Sequence, residues 1–159
     1  MKTRSGFVSN SSSSSFIVIA TELNDSMIQS LRKAYGNRSH LEISSDLGCC
    51  EFGWENTKYT SFWDKVMFAF IQADYMRKEH PNWLFRLEKA LKDTLKVKNL
   101  IWGISTDWER ADKGKVQAYI DHQSASIEGE NIEIFESDET MMRFLFSTGS
   151  YIQGGNDNE

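Results

Sequence analysis

The chain has 159 residues and a net charge of −5, and 40% of its residues are hydrophobic. This length is typical of one domain with a core of its own, and the apolar content excludes a wholly disordered protein. No apolar run reaches the ~18 residues of a transmembrane helix, and the opening lacks the apolar stretch of a secretory signal. The only two cysteines, Cys49 and Cys50, are adjacent and exclude a disulfide framework. We therefore expect a cytoplasmic protein with no membrane partner.

Short apolar runs alternate with polar breaks in the first part of the chain. Phe16–Ala20 is a run of apolar, mostly β-branched residues, which is typical of a buried strand. Asn24 or Asp25 can cap the helix that follows. Its apolar stripe runs to Tyr35, and Gly36 comes just past the last turn, where glycine commonly ends a helix. The next predicted elements are a strand at Leu41–Ser44 and its hairpin partner at Cys49–Trp54.

Two longer helices are predicted in the middle of the chain. Thr60 should cap the first, Ser61–Glu79, whose apolar face is wide enough to be buried on more than one side. We therefore expect this helix to form the centre of the core. Pro81 should begin the second helix, which runs to about Lys96. Apolar positions of the first helix are Phe62, Trp63, Val66, Met67, Phe68, Phe70, Ile71 and Tyr75.

Strand patterns dominate after residue 98. In the last of three predicted strands, Ile132–Phe135, the alternation of side chains should turn Glu133 to solvent while Ile132 and Ile134 face the core. The closeness of these runs along the chain favours hairpins over crossovers. The predicted elements are strands at Asn99–Thr106, Val116–Asp121 and Ile132–Phe135, a helix capped by Ser137 and ending at Phe146, and a last strand at Tyr151–Ile152.

Together the elements predict an α+β fold, a mostly antiparallel sheet with three to four helices packed on one face. It should span residues 16–153 as a single domain. Residues 1–15 form a serine-rich N-terminal arm, and residues 154–159 form a polar tail.

Charge is distributed unevenly along the chain. Residues 1–80 carry nine basic and nine acidic side chains, whereas residues 120–159 carry nine acidic side chains and one basic residue, Arg143. An acidic surface attracts a basic partner, although the mildly basic residues 81–119 could instead lie beside it and cancel it. Because the overall charge is negative, nucleic acid is not expected as a partner. The carboxylates expected to bind are Glu128, Glu130, Glu133, Glu136, Asp138 and Glu139.

A run of serines precedes the first predicted strand. Its hydroxyls and backbone N–H groups could cradle an anion such as phosphate, or the run could be a phosphorylation site. An exposed arm that leads into the strand explains the same pattern. No phosphate-binding P-loop motif accompanies the run. The residues of the anion-binding alternative are Arg4, Ser9, Asn10, Ser11 and Ser12.

The opening Gly6-Phe7-Val8-Ser9-Asn10, followed by Ser11–Ser15 and Phe16, resembles the N-termini of uncharacterised small proteins from bacteriophages and some bacteria. The resemblance covers about a tenth of the chain. It implies an intracellular, phage-type origin, and it implies no catalytic residue, because the group has no established activity.

A polar segment at the end of a predicted strand, Asp121-His122-Gln123-Ser124, is the catalytic alternative. His122 could act as a general base with Ser124 as a hydroxyl donor, and Asp157 in the tail could join them. Adjacent residues of a strand point to opposite faces, however, so Asp121 is badly placed to orient His122. A surface histidine in a polar turn explains the segment equally well.

Metal and phosphate sites have weaker signals. Structural zinc sites usually separate two cysteine ligands by about two to four residues, which the adjacent Cys49 and Cys50 do not. We therefore predict reduced thiols, no metal site and no cofactor. A basic stripe on the second long helix is interpreted as its solvated face. Its members are Arg86, Lys89, Lys92 and Lys96.

The sequence thus favours a small, phage-type accessory protein that binds a host or phage protein through its acidic C-terminal surface and is not an enzyme. The alternative is a small enzyme or an anion- or nucleotide-binding protein, which would use the serine-rich loop together with residues 121–124.

Overall fold

The computed structural model describes residues 2–5, 16–53, 56–107, 109, 114–120 and 133–155, of which residues 2–5 are described by their backbone alone. Helices and short strands are mixed along this part of the chain, which confirms the α+β class. Its α-helices are α1 (Asp25–Tyr35), α2 (Phe62–Tyr75), α3 (Asn82–Leu95) and α4 (Asp138–Leu145). Its strands are β1 (Lys2–Ser5), β2 (Phe16–Ala20), β3 (Leu41–Ile43), β4 (Glu51–Phe52), β5 (Lys58–Tyr59), β6 (Leu100–Trp102), β7 (Ile104–Ser105), β8 (Val116–Gln117), β9 (Tyr119–Ile120) and β10 (Tyr151–Gln153).

The largest sheet is antiparallel and has the strand order β1-β2-β10-β5. Its central strand β2 is the apolar run predicted from the sequence, and Ile17 and Ile19 enter the core from one face. Ile152 of β10 pairs with Ile17 and is fully buried beside it. The sequence did not predict β1, which lies within the serine-rich N-terminal segment and pairs with β2 along its whole length.

The remaining strands form three short parallel ladders, in which β3 pairs with β6, β7 with β8 and β4 with β9. The hairpins expected between residues 99 and 135, and the hairpin between β3 and β4, are therefore wrong. Parallel partners need a connection that returns the chain to the same end, and helices α2 and α3 lie in the connections from β3 to β6 and from β4 to β9. Such long-range pairing leaves no local turn signal in the sequence.

Helix α1 begins and ends where the sequence predicted. The Asn24 side chain caps it by accepting a hydrogen bond from the backbone N–H of Met27 at 2.8 Å. Gly36 follows the last residue with a φ of −65°, so left-handed backbone is not the reason for glycine here. A Cβ at Gly36 would lie 2.5 Å from the carbonyl oxygen of Arg32 and 3.3 Å from that of Leu95. The glycine is required chiefly by the close approach of the chain to the last turn of α1, and the nearby end of α3 adds to the crowding.

Helix α2 is the centre of the core, as predicted, although it is capped by Ser61 rather than Thr60 and ends at Tyr75. Every residue from 65 to 74 is buried. The ring of Phe70 packs against Trp102 of β6 with centroids 4.3 Å apart. Tyr75 was expected on the apolar face, but it is 56% exposed because it lies in the last turn, beyond the elements that cover the helix.

A short 3₁₀ helix at Glu133–Phe135 replaces the strand expected at residues 132–135. The strand would have put alternate residues in the core, but the consecutive residues Ile134 and Phe135 are both buried. A 3₁₀ turn brings neighbouring side chains onto one side more readily than a strand does. Ser137 then caps α4 as predicted, and its hydroxyl accepts from Thr140 N–H at 3.0 Å. Helix α4 packs against β2, α2 and α3.

None of the helices in the described part of the chain is long and apolar enough to cross a membrane.

Candidate functional site

Four of the six predicted binding carboxylates lie in the described part of the chain, and we call Glu133, Glu136, Asp138 and Glu139 the acidic surface. Glu133 is half-buried in the 3₁₀ helix, whereas the other three are exposed. Asp138 and Glu139 occupy the first turn of α4, where the positive end of the helix dipole stabilises negative charge. Glu128 and Glu130 lie outside the described residues.

Two arginines pair with this surface. Arg86 Nε of α3 lies 2.7 Å from Asp138 Oδ1, and Arg143 Nη1 lies 3.4 Å from Glu139 Oε1. Arg86 also donates through Nη1 to the carbonyl oxygen of Phe135 at 3.0 Å. The acidic surface therefore has two basic side chains at its edge, and one of them, Arg86, comes from the mildly basic residues 81–119. Its net charge is smaller than that of its carboxylates alone.

The predicted basic stripe on α3 is divided by ion pairs. Arg86 turns towards α4, and Lys89 Nζ lies 2.8 Å from Asp93 Oδ2 on its own helix. These contacts agree with the interpretation of the stripe as a solvated face.

The residues of the two alternative sites lie outside the described part of the chain, apart from the backbone of Arg4. His122, Ser124 and Asp157 lie outside it, as do Asp121 and Gln123, so the structure does not test the catalytic alternative. The same holds for Ser9, Asn10, Ser11 and Ser12, and for Arg4 only the backbone, in β1, is described.

A concave site that the sequence did not predict lies between the β4–β9 ladder and β5. It has a volume of about 850 Å³. We call it the thiol cleft, because both cysteines line it. Its described lining residues are Ser45, Gly48, Cys49, Cys50, Glu51, Thr57, Tyr59, Val116 and Tyr119.

Helix α2 fixes the position of the cysteine pair. A Cβ at Gly48 would lie 2.9 Å from the carbonyl carbon of Trp63, so the chain passes directly over the first turn of the helix. There, Asp64 Oδ1 accepts a hydrogen bond from Cys49 N–H at 2.8 Å. On the other side of the pair, the Cys50 carbonyl accepts from Tyr119 N–H at 2.8 Å, which joins the segment to β9.

Both thiols are poor nucleophiles at neutral pH. Burial raises the pKa of Cys50 to about 11, and the negative charges of Glu51 and Asp64 add to the effect. The pKa of Cys49 is also raised, chiefly by burial, although a backbone hydrogen bond with Glu51 opposes the shift. The neutral thiol itself donates to the Glu51 carbonyl, 2.9 Å from Sγ. Both side chains are therefore protonated thiols, which can donate weak hydrogen bonds but do not favour nucleophilic catalysis.

The described residues contain no group of three or more His, Cys, Asp or Glu side chains that could hold a metal ion. His40 is exposed on the surface. The ring of His80 stacks on that of Trp83 with centroids 4.0 Å apart, which explains this histidine as a packing residue.

Two buried charges on α2 are structural and were also missed from the sequence. Asp74 is 2% exposed, and its Oδ2 accepts from the N–H and the hydroxyl of Thr106 at 3.0 and 2.8 Å. Lys65 is fully buried, and burial lowers its pKa to about 8. The signal available for Lys65 was its position among apolar residues on a helix that is buried all round.

No family model matches the chain, and no curated protein or solved structure shows significant similarity to it. The assignment of function therefore depends on the chemistry of the chain's own residues.

Proposed function

We propose that the protein is a non-enzymatic binding module that recognises a basic partner protein through the acidic surface. The observation that carries this proposal is the exposure of Asp138 and Glu139, whose side chains are 75% and 81% accessible to solvent. Glu136, two residues before Asp138, is exposed as well. Three carboxylates thus project from one short segment at the start of α4.

The ion pairs at the surface do not prevent binding. Exposed ion pairs contribute only about 0–1 kcal/mol because water screens them and holding two long side chains costs entropy. A lysine or arginine of a partner can therefore replace Arg86 at Asp138 or Arg143 at Glu139. Arg86 keeps a second contact, its hydrogen bond to the Phe135 carbonyl, when it is displaced.

Electrostatic attraction of this kind acts mainly on the rate of encounter and weakens with salt. The resemblance of the chain's opening to phage and bacterial proteins supports a host or phage protein as the partner. The raised pKa values of both thiols in the cleft argue against these two side chains as catalytic nucleophiles.

The test is the double charge reversal Glu136→Lys with Glu139→Lys. A fluorescent peptide of alternating lysine and glycine serves as the basic probe, and its affinity is measured by anisotropy at about 50 mM and about 500 mM salt. The reversal should weaken binding at least about tenfold at the lower salt and have little effect at the higher, because the local attraction becomes repulsion.

The matched control is Glu42→Lys with Glu79→Lys, which changes the net charge equally at two exposed positions outside the acidic surface. If the control loses as much affinity as the acidic-surface variant, the probe responds to net charge alone and the proposed surface is wrong.

A further inference from the structure

The thiol cleft has the dimensions of a ligand site. Its volume of about 850 Å³ falls within the range of about 300–1,000 Å³ that is usual for small-molecule pockets. Three separate parts of the chain supply its lining, around residues 45–51, 57–59 and 116–119, and it shares no residue with the acidic surface. Two backbone hydrogen bonds of the cysteine pair, to Asp64 and Tyr119, hold its floor in place.

Two carboxylates, those of Glu51 and Asp64, lie at the cleft. Glu51 is the charged side chain among its described lining residues, and it is exposed. Asp64 lies behind the cysteines and is close enough for its charge to raise the pKa of both thiols. Because the thiols are protonated, they add no charge of their own. A cation is therefore favoured in the cleft over an anion.

Strand alternation keeps a nearby lysine out of the cleft. Thr57 and Tyr59 line it, and Lys58 between them points to the opposite face of the sheet. There Lys58 Nζ lies 4.1 Å from the centre of the Tyr151 ring. Lys58 thus contacts an aromatic ring elsewhere and does not neutralise Glu51. Lys115, which precedes the lining residue Val116, is not itself among the described lining residues.

Aromatic and hydroxyl groups complete the lining. Tyr59 of β5 and Tyr119 of β9 line the cleft, and the Tyr59 ring is held edge-to-face against Phe52 with centroids 4.9 Å apart. Aromatic rings attract organic cations electrostatically and also pack against their apolar parts. The hydroxyls of Ser45 and Thr57 supply neutral hydrogen-bonding groups at the edge.

We infer that the thiol cleft binds a small organic cation, an ammonium group on an apolar body, with Glu51 as its counter-ion and the side chains of Tyr59 and Tyr119 as its packing surface. This site is independent of the acidic surface, so either proposal can fail without the other.

The test compares two probes of nearly the same shape, choline and 3,3-dimethylbutan-1-ol, which differ in the positive charge. Each is titrated into the ¹⁵N-labelled protein, and the amide shifts of Cys50, Glu51 and Tyr119 are followed by NMR. The cation should bind at least about tenfold more tightly than the neutral alcohol, with the largest shifts at the cleft. Equal affinity for the two probes, no binding of choline, or shifts confined to other parts of the protein would each overturn the inference.

Two substitutions test whether individual lining side chains contribute to choline binding. Glu51→Gln should lower choline affinity about fivefold or more and leave the affinity for the alcohol unchanged, since only the cation needs the carboxylate. Tyr119→Leu should weaken choline binding similarly. The controls are Glu79→Gln and Tyr75→Leu, which make the same changes at exposed positions outside the cleft. Because the Glu51 side chain is exposed, its substitution should not unfold the protein, and an unchanged choline affinity in Glu51→Gln would overturn the inference.

Discussion

The ammonium of Lys65, in the first turn of α2, donates to the carbonyl oxygen of Ser147 at 2.6 Å and to that of Ser150 at 3.3 Å. The hydroxyl of Ser150 donates in turn to the Arg143 carbonyl at 2.7 Å and accepts from Ala20 N–H at 2.8 Å. A buried lysine thus ties the core helix to the loop between α4 and β10, and that loop to the central strand β2. These bonds form at the expense of the hydration of the charged ammonium, which is lost when the side chain is buried.

Lys65 should make the protein more stable as the pH rises from about 8 to about 10. The folded protein releases the Lys65 proton near pH 8, while the unfolded chain keeps it up to the ordinary pKa of 10.5. Since the unfolded state binds more protons in this window, the free energy of unfolding increases there, by up to about 3 kcal/mol from this group alone.

The measurement is urea unfolding of the parent and of Lys65→Met, which does not titrate, at several pH values from about 7 to about 10. The parent should gain stability relative to the variant across this range. Other titrating groups are common to both proteins and cancel in the difference. A difference that stays constant with pH would show that Lys65 is not perturbed as described.

The thiol of Cys50 should react slowly with alkylating reagents in the folded protein. With its pKa raised to about 11 from 9.0, the thiolate fraction at about pH 8 falls about a hundredfold. Because a more basic thiolate is also a better nucleophile, the net decrease in rate is about tenfold.

Iodoacetamide labelling of the Cys49→Ser variant isolates Cys50, and mass spectrometry gives the rate. The same variant unfolded in urea is the reference. A folded rate equal to the unfolded rate would contradict a protonated, partly buried thiol.

Substituting Gly48 should displace the cysteine pair. The Cβ of alanine would lie 2.9 and 3.0 Å from the backbone carbon and oxygen of Trp63, which a buried helix cannot easily move. Gly48→Ala should therefore cost about 1–3 kcal/mol of stability, measured by urea unfolding. Gly103→Ala is the control, because its Cβ would meet its neighbours at the ordinary distance of 3.4 Å. Equal losses in the two variants would contradict the close approach at Gly48.

Truncation of Phe70 should test α2 as the centre of the core. The side chain is 3% exposed and packs against Trp102, so Phe70→Ala should cost about 3–5 kcal/mol. Phe85→Ala makes the same truncation at a ring that is 67% exposed, and should change stability by less than about 1 kcal/mol. Thermal or urea unfolding of both variants gives the comparison, and a Phe70→Ala curve that overlays the parent would refute the assignment.

Features that depend on neighbouring residues could be predicted from the sequence. The caps of α1 and α4, Asn24 and Ser137, bond to backbone groups three residues away. The burial of α2 follows from an apolar face too wide for a surface helix. The sequence also showed where the carboxylates of the acidic surface lie along the chain. It did not show that Asp138 pairs with Arg86, because the two residues lie 52 positions apart.

Amino-acid order alone determined the helices, the buried strand β2 and the mixed α+β class, because capping and hydrophobic periodicity act within a few residues. Only the tertiary structure decided the parallel ladders, the 3₁₀ helix at Glu133–Phe135 and the thiol cleft. Each of these involves contacts between groups far apart in the chain: Cys50 bonds to Tyr119, Leu41 pairs with Leu100, and Phe135 of the 3₁₀ helix stacks on Trp83. Long sequence separation also explains why the burial of Lys65 was not predicted. The carbonyl groups that accept hydrogen bonds from its ammonium in the core lie more than eighty residues away.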